Sequence, residues 1–191
     1  MYFIKITKWN FDLDINLQNH EWNEIYKTCF KSISDNYLIW FQYKILNRIL
    51  GTQYLMCKMR IVNDPSCRLC NDNVETLKHL FCECQYVHTL WENIQLWIKT
   101  KTGIEITLNN SNIILGYINQ DETNKPLNMV LLRTKSYIFW CARQRKIPNI
   151  IDLQRNIKKT YDEQISLFTI NQKIEKFNKI WVVWKNLFEN I

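Results

Sequence analysis

Apolar residues recur along this chain at a helical period. The first clear stripe runs from Asn36 to Leu50, where Tyr37, Ile39, Trp40, Tyr43, Ile45, Leu46, Ile49 and Leu50 cover more than one face. Gly51 is the expected stop. A second stripe of Val87, Leu90, Trp91, Ile94, Leu96, Trp97 and Ile98 predicts a helix from about Tyr86 to Lys101. Its terminal lysines suit the negative end of the helix dipole, and Gly103 supplies a C-terminal cap. Trp91 and Trp97 are expected in the core. From Leu127 to about Lys146 the chain is apolar on most faces, including Met129, Val130, Leu131, Leu132, Tyr137, Ile138, Phe139, Trp140 and Ala142. That pattern predicts a buried helix with a basic end ahead of Pro148. Ile150 to Phe188 reads as one helix or a pair, with Ile174, Phe177, Ile180, Trp181, Trp184 and Phe188 at helical spacing, and a short helix is expected around Glu21 to Ser32.

Only three Gly and three Pro punctuate 191 residues, too few for the tight turns of a sandwich or barrel. A hydrophobic share of 47% excludes a disordered chain. The expected class is therefore all-α, a helical bundle. Two polar stretches, Thr107 to Asn112 and Asn119 to Pro126, are candidate linkers. They divide the chain into an N-terminal unit at 1–106, a linker region at 107–126 and a C-terminal helical segment at 127–191 that packs on the first.

Into this helical material is inserted Cys67-x2-Cys70-x8-His79-x4-Cys84, a CCHC knuckle expected over about 61–90. Thiolate and imidazole ligands in a tetrahedral set select Zn²⁺, and four protein ligands leave no open position for substrate or water. One structural zinc ion is the expected cofactor. Cys82 could replace Cys84, Cys84 and His88 could together join Cys67 and Cys70, or His88 could be a plain helix-surface histidine. Zinc removal is expected to melt 61–90 and spare the bundle. Cys29, Cys57, Cys82 and Cys141 sit among apolar residues and read as buried, reduced thiols. The chain opens with no secretory pattern and holds no apolar run long enough to span a bilayer, so the expected location is intracellular, nucleus or cytoplasm, with no membrane partner.

Charge is uneven. Residues 27–60 carry six Lys and Arg against one carboxylate, and residues 133–160 carry eight against one, including Arg133, Lys135, Arg155, Lys158 and Lys159. Brought onto one face, Lys44, Arg48, Lys58, Arg60, Arg143, Arg145 and Lys146 would contact nucleic-acid phosphates, with exposed Tyr or Trp available for stacking on bases. The competing reading is a set of separate solvated helix faces.

A resemblance then becomes specific. Trp22-Asn23-Glu24-Ile25-Tyr26, Gln42 to Arg48, Cys67-Arg68-Leu69-Cys70, Glu75-Thr76-Leu77-Lys78-His79-Leu80-Phe81, Cys84 and Trp91 together resemble the zinc-binding C-terminal segment of non-LTR (LINE-type) retrotransposon reverse transcriptases. Ile114-Leu115-Gly116, Cys141-Ala142-Arg143, Ile147-Pro148 and Glu175-Lys176-Phe177 extend the similarity toward Trp184. Two departures stand out: Gln53 follows Thr52 where relatives often have proline, and two residues separate Cys67 from Cys70 where relatives often have three. The resemblance implies that Cys67, Cys70, His79 and Cys84 hold the zinc. It also implies that the segment helps its parent polymerase hold template RNA or target DNA, with the other reverse transcriptase domains as partners. No close aspartate pair suited to a polymerase palm occurs, and Asp12 and Asp14 lack a His partner for an endonuclease, so no catalysis and no small-molecule substrate are expected. A module that docks on the polymerase or a host factor without touching nucleic acid is the alternative.

Overall fold

The computed structural model describes residues 2–32, 35–117 and 125–188. The elements in order are α1 (Tyr2–Leu13), α2 (Asn19–Ser32), α3 (Asn36–Leu46), α4 (Gln53–Lys58), a π-helical turn (His79–Glu83), α5 (Gln85–Thr102), α6 (Asn110–Leu115), α7 (Lys125–Arg143), α8 (Ile150–Ile170), α9 (Ile174–Trp181) and a 3₁₀ turn (Lys185–Phe188). Among the described residues the only β pairing is an isolated antiparallel bridge between Ser66 and Val74. The expected all-α bundle with an inserted knuckle is what the chain adopts. No described helix is long and apolar enough to cross a membrane.

The axis of the bundle is α7. It is buried on nearly every face from Pro126 to Ala142, and it packs against α2, α3, α8, α9 and the π turn. The 3₁₀ turn and α8 pack on α5. Phe41 of α3 joins two neighbours at once, Phe81 of the π turn edge-on at 6.2 Å and Phe139 of α7 at 5.8 Å. Leu80 and Phe81 are completely buried, so the knuckle plugs into the bundle core and gains about 1.5–3 kcal/mol per side chain from that burial. Trp91 and Trp97 are in the core, as their stripe predicts.

Five of the described helices end in the same hydrogen-bonded cap with a left-handed residue, and the scarcity of glycine shows in what occupies it: after α1 it is Asp14 (φ 51°), which donates to Phe11 O while Ile15 donates to Asn10 O. After α3, Arg48 (φ 57°) donates to Ile45 O and Ile49 donates to Lys44 O. After α4, Arg60 donates to Cys57 O and Ile61 to Met56 O; after α7, Arg145 donates to Ala142 O and Lys146 to Cys141 O. Gln172 fills the equivalent place after α8. This is the Schellman arrangement, with arginine three times where glycine is usual. A cation there is favoured by the negative end of each helix.

That cap corrects the first stripe. The helix ends at Leu46 instead of running to Gly51, because Arg48 turns the chain and lays its guanidinium 3.6 Å above the Trp9 ring while pairing with Asp12 at 2.7 Å. Ile49, beyond the cap, is exposed, as are Tyr37 and Trp40 within α3, and Leu96 and Trp140 also lie outside the core. Gly103 does close α5, at φ 72°. The polar stretch at 107–112 leads into α6, whose N-cap Asn109 accepts from Asn112 N and whose Ile113, Ile114 and Leu115 are buried. Most of Asn119 to Pro126 lies outside the described residues, as does the side chain of Cys29.

Candidate metal centre

The knuckle begins as a small hairpin. Ser66 and Val74 pair across it, Cys67 N donates to Asn73 O at 2.7 Å, and Asn71 N donates to Cys67 O at 2.8 Å. Asn71 takes a left-handed conformation (φ 57°) that closes the turn and swings Cys70 back toward Cys67. The other two candidate ligands bracket the π turn. Five residues apart on an α-helix, His79 and Cys84 would point roughly 140° away from each other. The i→i+5 bond from Cys84 N to His79 O (2.9 Å) widens the turn and brings both to the same side. Thr76 Oγ1 accepts from His79 N at 3.0 Å and starts the turn, and Trp91 Nε1 donates to Phe81 O at 2.8 Å, which satisfies a carbonyl inside it.

The result is one cluster. The ligand atoms of Cys67, Cys70, His79 and Cys84 all lie within 4.8 Å of one another, with Cys70 Sγ 3.4 Å from His79 Nε2. A tetrahedral ion with Zn–S near 2.3 Å and Zn–N near 2.0 Å has ligand-to-ligand edges of about 3.5–3.8 Å, so the donor set fits such an ion with little movement. Cys67, His79 and Cys84 are buried and Cys70 is half-buried. A hydrogen bond shared by Cys67 and Cys84 pushes the Cys67 thiol up, with burial adding to it, and holds Cys84 below its ordinary range, so Cys84 is the readier thiolate. The alternatives raised by the sequence resolve against Cys82 and His88. Cys82 is buried with its Sγ 3.9 Å from Asn110 O, and burial raises its thiol to about 12. His88 is largely exposed on α5 beside Glu92.

Glu75, a residue not singled out as functional by spacing, organises the hairpin from behind. It is completely buried, and its carboxylate accepts from Arg68 N (2.9 Å), Gln53 N (3.0 Å), Arg68 Nε (3.0 Å) and the Arg68 terminal guanidinium nitrogen. Its own carbonyl accepts from Tyr54 N at 3.3 Å. The N-terminus of α4 and the residue between the first two cysteines are thereby tied to one side chain. Glu75 belongs to the Glu-Thr-x-x-His run, the one sequence signal that marks it.

The expected phosphate contacts differ in exposure. Lys44, Lys58, Arg60, Arg143, Arg145 and Lys146 are exposed, whereas Arg48 is half-buried on Trp9 and Asp12. Lys146 sits 5.9 Å from the half-exposed Trp140 ring, and Arg145 lies near enough to Asp64 to lower its carboxyl, after the hydrogen bonds from Ser66. Two members of the second basic block do not belong to any such surface. Lys135 is buried, with Nζ on Gln42 Oε1 (2.6 Å) and Ile114 O (2.9 Å), and Arg133 pairs with Asp35 at 3.4 Å. Lys158 and Lys159 are paired with Asp162 and Glu163 one turn along α8. Cys141 is buried as its surroundings predict, but Cys57 is only half-buried.

Among curated proteins no match to this chain is found. Residues 7–91, from α1 through the knuckle to Trp91, match the family described as zinc-binding in reverse transcriptase, and the Cys₃His cluster that could hold a metal ion lies inside the matched segment.

Proposed function

We propose that the chain is a non-catalytic, nucleic-acid-binding accessory segment of a non-LTR retrotransposon reverse transcriptase, and that it helps the polymerase hold template RNA or target DNA. The metal is zinc, held by Cys67, Cys70, His79 and Cys84. Its four protein ligands saturate the shell, so the ion supplies structure and no chemistry. The observation that carries the reading is the placement of this closed site inside a segment that matches the reverse transcriptase zinc-binding family, with cation-rich stretches at 27–60 and 133–160 before and after the site. A nucleic-acid interface of this kind follows salt, since each neutralised phosphate releases counterions.

The test is metal content by mass spectrometry joined to a titration with a short structured RNA at about 50 and about 200 mM salt. One zinc per chain and binding that weakens steeply with salt support the proposal. Charge reversal at Arg143, Arg145 and Lys146 should flatten that dependence. The docking reading has its own support in Met59 and Ile61, apolar and more than 60% exposed where the chain enters the knuckle. One zinc with no RNA binding at either salt would move the function to that surface.

A further inference from the structure

Beside the metal hairpin lies a cavity of about 380 Å³, walled by α1, the turn after α3, α4 and the Thr76–Lys78 run. Four cations line it, Lys8, Arg48, Lys58 and Lys78, against one carboxylate, Asp12. Two of these cations are from the expected set, and Lys8 and Lys78 join them only through the fold. Asp12 does not neutralise the group. Arg48 engages it at 2.7 Å through a terminal guanidinium nitrogen, and Arg48 Nε is buried with no hydrogen-bond partner. Neither Lys8 nor Lys58 has an ion-pair partner among the described residues, and Lys78 holds only the half-exposed Glu83 at 2.9 Å. The remaining wall is Leu50, Leu55, Leu77, the partly exposed Tyr54 and two threonines, Thr52 and Thr76.

A buried guanidinium N–H without an acceptor, ringed by further cations, asks for an anion with several acceptor oxygens. An exposed tyrosine in the same wall asks for a flat ring. The two demands meet in one nucleotide of an unpaired strand, whose phosphate and base are presented together and whose neighbouring phosphates lie along the surface. We infer that this cavity seats one nucleotide of a single-stranded nucleic acid, with its phosphate on Lys8, Arg48, Lys58 and Lys78 and its base against Tyr54. The inference rests on the nucleic-acid reading above and deepens it by naming the site and the strandedness.

Fluorescence anisotropy with a labelled, unstructured twelve-nucleotide strand, read at about 50 and about 200 mM salt on zinc-loaded protein, tests it. The variants are K58Q/K78Q and Y54A in the cavity, with K158Q/K159Q on α8 as comparison and circular dichroism confirming the fold of each. Loss of two phosphate contacts should weaken binding about tenfold at the lower salt and lower the logarithmic salt slope by about 1.4. Y54A should also cost about tenfold, with little change in slope. A folded K58Q/K78Q that binds like the parent overturns the cavity and leaves nucleic-acid binding to another surface. An unchanged Y54A, or equal affinity for a blunt duplex, overturns the single-strand assignment. Displacement of the strand by micromolar nucleoside monophosphate overturns it in favour of a mononucleotide. No binding by the parent at low salt overturns the nucleic-acid reading together with this one.

Discussion

Replacing Glu75 tests whether the hairpin is organised from behind as the geometry indicates. The carboxylate is fully buried and receives two backbone N–H groups and two guanidinium N–H groups, while the Arg68 side chain is only 9% exposed. Glu75→Ala removes all four acceptor contacts and strands the Arg68 charge. Breaking one side of a buried pair costs about 3–5 kcal/mol, and an orphaned buried N–H costs about 1–3 kcal/mol; these overlap, so the expected loss is about 4–5 kcal/mol. Against a typical domain stability of about 5–15 kcal/mol this is severe. Glu75→Gln keeps the shape but turns an NH₂ toward donors, and about 2–3 kcal/mol should be lost. Arg68→Met/Glu75→Gln should recover part of that, since the stranded charge is gone. Urea unfolding followed by circular dichroism gives the stabilities, and competition with a chromogenic chelator gives the metal affinity. The latter should fall about 10–100-fold in Glu75→Gln, the usual effect of losing a group that orients the ligands. A Glu75→Gln protein with parental urea midpoint and parental metal affinity would refute the reasoning.

Four further outcomes are expected. In Cys70→Ser or after chelation, hydrogen exchange should accelerate first over 61–76, while 79–90 stays protected longer because Phe81 and Trp91 anchor it; uniform exchange across 61–90 would contradict that order. Arg60→Gly should raise the unfolding free energy by about 0.5–1 kcal/mol because glycine adopts φ 57° without strain, whereas Arg48→Gly should lower it through loss of the stack on Trp9. Gln42→Leu should cost about 2 kcal/mol by depriving the buried Lys135 ammonium of an acceptor, and Lys135→Met should cost less because it removes the buried charge and leaves only a neutral acceptor short of a donor. Burial pushes the Tyr137 phenol up to about 12, so its neutral form is favoured by folding. That contribution is complete below the ordinary value near 10 and is lost as pH rises through 12, so the urea midpoint of the parent should fall more steeply over that window than that of Tyr137→Phe.

The ligand cluster was legible because its chemistry is local, four side chains within eighteen residues and a turn between the first pair. The long helices α5, α7 and α8 were legible for the same reason, since a stripe many turns long outvotes any single residue. What escaped depends on contacts between distant segments. Nothing near Arg48 in the sequence says that Trp9 and Asp12 wait thirty-odd residues upstream, so the helix was drawn past its end. Lys135 was counted with the surface cations because its acceptors come from α3 and α6. Trp40 and Trp140 fit apolar stripes wider than the buried face, and the stripe alone does not say which edge stays wet. The π turn had no signal beyond the x4 spacing between His79 and Cys84, which an α-helix cannot reconcile with a shared ion.

The metal and the cavity share a wall, and that has an energetic consequence. Thr76, Leu77 and Lys78 line the cavity, and they hang between Glu75, fixed by Arg68, and His79, a metal ligand. With the ion bound, both ends of this three-residue span are held and Lys78 is presented at a fixed position. Without it, the His79 side chain loses its tie and only the packing of Leu80 and Phe81 holds that end, so tightening the span becomes part of the cost of binding a strand. Linkage then requires reciprocity: whatever factor the ion adds to strand affinity, the strand adds to ion affinity. On the proposed reading the metal site therefore shapes a binding surface as well as a fold. Chelator competition run with and without a saturating single strand measures that factor, and a ratio of one would separate the two sites.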